Sequence, residues 1–152
     1  MSKLTISQAL KAKKKLINKI NQLKTKIQHN NRYIKGDSSS LDYDVKELLI
    51  QLETSSAELV NLKAAIQRAN VPVLEKIYRL SELKDLITLY RMIPTSKGRE
   101  RATYRAAEAA PVEWAVQVDQ LTVDKKLAEI ENEIELVQEH LDKFNHTTYL
   151  DI

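Results

Sequence analysis

Val45, Leu48, Leu52, Ser55, Leu59, Leu62, Ile66 and Ala69 step along the chain by alternating threes and fours for more than three heptads. That spacing holds side chains on one side of an α-helix and is incompatible with a strand, whose side chains alternate faces at every residue. Val123, Leu127, Ile130, Ile134, Val137, Leu141 and Phe144 repeat the pattern without a miss. A helix carrying such a stripe has to bury it against another element. Two glycines and three prolines in 152 residues leave few tight turns, which again favours long helices and argues against a doubly wound nucleotide-binding sheet.

The chain is read as one helical domain, residues 1–152, large enough to bury a core. The predicted fold class is all-α: a bundle of long antiparallel coiled-coil-like helices with a small β-ribbon between helices 3 and 4. Helix 1 is expected over about residues 5–35, with Ile6, Ala9, Leu16, Ile20, Leu23, Ile27 and Ile34 on its seam, interrupted by Lys13 and Asn30. Gly36 is read as its stop, and "GDSSS" as a polar turn. Helix 2 follows over about 42–70, capped by Ser40 or Asp42, and forms a hairpin with helix 1, each arm roughly 40 Å long. Pro72 suits the first turn of helix 3, about 72–93, whose apolar surface is wide enough to be covered on two sides.

Residues 94–121 differ in character. "VEWAVQVD" alternates Trp114, Val116 and Val118 against Glu113, Gln117 and Asp119, a strand signature, and residues 102–107 are the expected partner in a ribbon over about 102–119. A lone ribbon is marginal in water, so it is expected to lean on the helices or on another subunit. Helix 4 is expected over about 122–145.

Charge is distributed unevenly. Residues 1–36 hold ten Lys and Arg and no acid, whereas residues 119–152 hold nine acids against three bases. The stretch "LKAKKKLINKINQLKTKI", residues 10–27, contains seven of those lysines. On the heptad, Lys19, Lys24 and Lys26 flank the seam, and Asp124, Glu131 and Glu133 hold flanking positions on helix 4. Opposite charges at such positions select partner helices, so helices 1 and 4 are expected to pack together, within one chain or between two. Lys11, Lys14 and Lys15 fall on the outer face. With the basic loop Lys97, Arg99, Arg101 and Arg105, interleaved by Tyr104, they are the candidate contacts for nucleic acid or another anion. A surface loop answered by acids is the competing reading. Helix 1 lacks the Trp or Phe that a membrane-surface helix usually carries.

No chemistry-bearing motif emerges. Cysteine is absent, which removes disulfides and thiolate metal sites. His29, His140 and His146 are preceded at the third position by Lys26, Val137 and Lys143, so no Glu-x-x-His pair exists for a carboxylate-bridged metal. With Gly36 and Gly98 as its glycines the chain has no phosphate-cradling loop. Glu131 and Glu135, one turn apart, read as a solvated face. Catalytic residues, metal and cofactors are therefore not assigned. "MSKLTISQALKAKKK" has no apolar run of signal-peptide length, and no run approaches a membrane span, so a soluble cytoplasmic protein is expected. The wide helix 3 and the ribbon predict a homo-oligomer.

Taken in order, the first helix ending in Asn30, Asn31 and Gly36, the Arg68-x-Asn70 step, the Val118-Asp119 strand end and the Asn145-x-Thr147 tail resemble the small bacterial septicolysin-like family over nearly the whole chain. The departures are His146, where the pattern has Trp, and a first helix rich in lysine rather than arginine. The resemblance implies a small helical protein and carries over no catalytic residues.

Overall fold

The structure is a computed structural model and describes residues 3–37, 41–100 and 112–151. The described residues form four α-helices and a two-stranded antiparallel ribbon between the third and fourth. In order these are α1 (Ile6–Asn30), α2 (Val45–Asn70), a 3₁₀ turn (Val71–Val73), α3 (Leu74–Met92), β1 (Gly98–Glu100), β2 (Val112–Trp114) and α4 (Gln120–Thr147). The chain divides into two compact units, one of residues 1–74 with 142–152, the other Glu75–Leu141.

In the first unit α1 and α2 form the hairpin. Every residue of the α2 stripe is buried or half-buried, with Leu48, Ser55, Ala65 and Ile66 inside. Ser55 is 1 % exposed, and its small side chain takes a seam position where a leucine would need more room. The core at one end joins Ile6 and Ala9 to Ala65, Ile66 and Leu150, with Leu62, Ala69 and Phe144 packed around them. At the other end Lys26 lies over the Tyr43 ring, 5.2 Å from its centre. The start of α1 thus meets the end of α2, an antiparallel pair.

Thr5 begins α1 through a capping box: its hydroxyl accepts from the Gln8 N–H at 3.3 Å, and the Gln8 side chain accepts from the Thr5 N–H at 3.0 Å. The helix ends at Asn30, short of the expected residue 35. Asn30 donates from its side chain to the Lys26 carbonyl at 2.7 Å, and such local bonds compete with helix propagation. Ile34 is consequently 72 % exposed rather than part of the seam. Gly36 serves the turn beyond, at φ +90°, where the Asp37 N–H bonds the Ile34 carbonyl at 3.0 Å. The cap of α2 is Asp44, not Asp42; its carboxylate accepts from the N–H groups of Lys46 and Glu47. Ser40 lies outside the described residues.

The sequence gives little warning of the last feature of this unit. Residues after α4 run extended beside the start of α1, in an antiparallel bridge between Thr5 and Tyr149. The Ile6 N–H donates to the Thr148 carbonyl and the Leu150 N–H to the Leu4 carbonyl, both at 2.9 Å. Ile6 belongs to the first turn of α1, whose N–H groups have no partner inside the helix, so the tail satisfies a donor that would otherwise need water. Leu150 enters the core at 2 % exposure.

In the second unit α3 and α4 run antiparallel. Leu83, 1 % exposed, and Ile130, 5 % exposed, line one cavity of about 200 Å³ between them. Every stripe residue of α4 is buried or half-buried. Leu83 is the buried residue of α3, while Tyr78, Leu86, Leu89 and Met92 are exposed. Within the chain α4 takes one face of α3, and much of the remaining apolar surface meets solvent. The ribbon pairs Gly98 with Trp114, Arg99 with Glu113 and Glu100 with Val112. Its first strand therefore lies upstream of residues 102–107, which fall outside the described residues.

Candidate interaction surfaces

Glu131 and Glu133 were expected opposite lysines of helix 1; the structure gives both to arginines of α3. Arg79 donates from Nε and Nη2 to the two carboxylate oxygens of Glu133 at 2.9 and 3.1 Å, a bidentate fork, and Arg91 reaches Glu131 at 3.1 Å. The Glu133 hydrogen bonds, and then its charge, raise the pKa of Arg79. Arginines bordering an apolar helix were the signal available for these pairs. Asp124 accepts from the Gln120 side chain at 2.8 Å, so it too is engaged within α4.

Most lysines of α1 have no acidic partner among the described residues. Lys11, Lys14, Lys15, Lys19 and Lys24 are exposed, and none makes an ion pair among the described residues. Lys26 faces Tyr43. Lys15 and Lys19 stand at the rim of a groove of about 430 Å³ floored by Ala12, Leu16 and Leu62, with Glu58 as its single acid. Lys15 was expected with Lys11 and Lys14 on an outer face; α1 instead turns it, with Lys19, to the margin of this apolar groove.

The basic loop is more nearly neutralised. Arg99 lies directly across the ribbon from Glu113, a favourable cross-strand pairing of opposite charges. Lys97 and Asp119 border the same hollow, together with Trp114 and Thr122. The pKa of Asp119 is lowered, first by the Thr122 hydroxyl, then by the Thr122 N–H at 2.8 Å, and to a smaller degree by Lys97. Asp119 is the residue preceding α4, so its carboxylate also caps that helix. Arg101, Tyr104 and Arg105 lie outside the described residues.

Among the described residues no group of three or more His, Asp or Glu side chains could hold a metal ion, and His29, His140 and His146 are all exposed. Ser81 and Lys84 have the Ser-x-x-Lys spacing of one class of nucleophile, a coincidence easily passed over. Both are exposed on α3, so nothing shields them from water. Glu135, one turn beyond Glu131, is exposed on the flank of α4. No described helix is long and apolar enough to cross a membrane. Comparison with known proteins finds no matching family model, and no curated protein or solved structure that matches.

Proposed function

We propose that this is a cytoplasmic structural or interaction protein without catalytic activity, a septicolysin-like bundle of coiled-coil-like helices that assembles with copies of itself. One observation carries the reading: the Glu75–Leu141 unit exposes large apolar side chains from α3, β2 and α4, with Leu89 at 58 %, Met92 at 74 %, Trp114 at 53 %, Leu121 at 69 % and Leu136 at 63 %. Isolated exposed leucines are ordinary, but a small unit leaving this many, including the chain's single tryptophan, is typical of a surface that another molecule covers. All three residues of β2 are exposed, and a two-stranded ribbon in that state gains little from water. Light scattering on the full chain tests this. A mass above 17.5 kDa at micromolar concentration is expected, and a monomer there overturns it.

The second reading, nucleic-acid binding, is favoured by the unanswered charges of Lys11, Lys14 and Lys15. It predicts a gel shift that weakens steeply with salt and is lost on changing these three to Glu. Absence of a shift at low salt removes it.

A further inference from the structure

The groove on α1 and the outer face of α4 are written in one pattern with opposite charge. Lys15-Leu16-Ile17-Asn18-Lys19 places two cations one helical turn apart with a leucine beside them, and Glu135-Leu136-Val137-Gln138-Glu139 places two anions at the same spacing around a leucine. Each charged pair spans about 6 Å along its helix. Lys15, Lys19, Glu135 and Glu139 are all exposed, and Leu136 is 63 % exposed. Each of the two surfaces is thus open to solvent on its own unit. Leu16 forms part of the floor of a groove of about 430 Å³, ample for a leucine side chain.

Resting on the self-assembly reading above, we propose that the groove at Lys15, Leu16 and Lys19 receives the Glu135–Glu139 face of a second copy, with Leu136 seated over the apolar floor. Lys15 and Lys19 then flank Leu136 opposite Glu135 and Glu139. With the two copies related by a two-fold axis the contact occurs twice, each copy giving its groove to the other's acidic face. The apolar seat drives association and the four charges fix its register, excluding other lysine-poor or acid-poor faces. Glu58, the one acid at the groove, lies on α2 and is not part of the matched set.

Charge exchange in the full chain tests this. One variant carries Lys15→Glu and Lys19→Glu; the other carries Glu135→Lys and Glu139→Lys. All four are exposed helix positions, and each new residue is a good helix former, so circular dichroism should show unaltered helicity. Each variant alone places like charges at both contacts, and its self-association is expected to weaken at least about tenfold in sedimentation. Mixed together they restore opposite charge at both contacts, and a mixed dimer should form. Wild-type oligomers with both variants unchanged, or a mixture that stays dissociated, overturn this interface alone. A monomeric wild type overturns the self-assembly reading with it. Retained association in the lysine variant with loss of DNA binding overturns the interface and gives the lysine face to nucleic acid instead.

Discussion

The backbone N–H of Leu150 donates to the carbonyl of Leu4 at 2.9 Å, fastening the end of the chain to its beginning. The bond sits inside a short antiparallel pairing that places Leu150 among Ile6, Ala9, Ala65 and Ile66. The tail is thus a structural part of the hairpin unit.

Leu150→Ala should therefore cost about 2–5 kcal/mol in urea unfolding, the usual effect of truncating a buried leucine. Tyr149, its neighbour in the extended segment, is 58 % exposed, and Tyr149→Ala should change stability by less than about 0.5 kcal/mol. Equal effects at the two positions would contradict the pairing, because a strand-like tail turns adjacent side chains to opposite sides.

The capping box at Thr5 should be separable from the core. Thr5→Ala removes the hydroxyl that accepts from Gln8 and should cost about 1 kcal/mol, whereas Thr5→Asn should recover most of it. Thermal unfolding of the two variants makes the comparison.

Asp119 predicts an acid-sensitive component of stability. Its pKa in the folded chain lies below its unfolded value, so it stabilises the folded state above the unfolded pKa of about 3.9. That contribution falls away as pH drops through the lower folded value. Asp119→Asn keeps a capping side chain but cannot titrate, and should flatten this part of the acid limb in circular dichroism melts. An acid limb identical in the two proteins would remove Asp119 as its cause.

The Arg79–Glu133 fork is exposed, with side chains 53 % and 42 % accessible, so its contribution should be modest and screened by salt. Arg79→Gln should lower the melting temperature at low ionic strength, and the difference should shrink in molar salt. A difference independent of salt would point to lost packing of the arginine stem instead.

How much of this was legible depended on how local the signal was. The stripes of α2 and α4 repeat over many turns, and every predicted member is buried or half-buried. α1 ends at Asn30 although Ile34 continues the spacing, and the bond from Asn30 to the Lys26 carbonyl at that end leaves no periodic trace. The tail pairing joins residues at opposite ends of the sequence, and a three-residue extended segment has no pattern to read. The partners that Glu131 and Glu133 take within the chain were hidden for a related reason. Heptad position alone matched Glu131 and Glu133 to lysines, but bidentate geometry favoured Arg79 on the neighbouring helix. The lysine row of α1 was evident as charge; its relation to the apolar groove at Leu16 required the placement of Leu62 from α2.

Sedimentation equilibrium of the full chain over a dilution series, with Trp114 emission read on the same samples, decides whether copies of the chain assemble. Self-assembly predicts a mass above 17.5 kDa that falls on dilution, or persists as a tight oligomer. Where it falls, the emission of Trp114 should move toward that of a solvated indole if the ribbon is part of the covered surface. A mass of 17.5 kDa at every concentration, with unchanging emission, would contradict it.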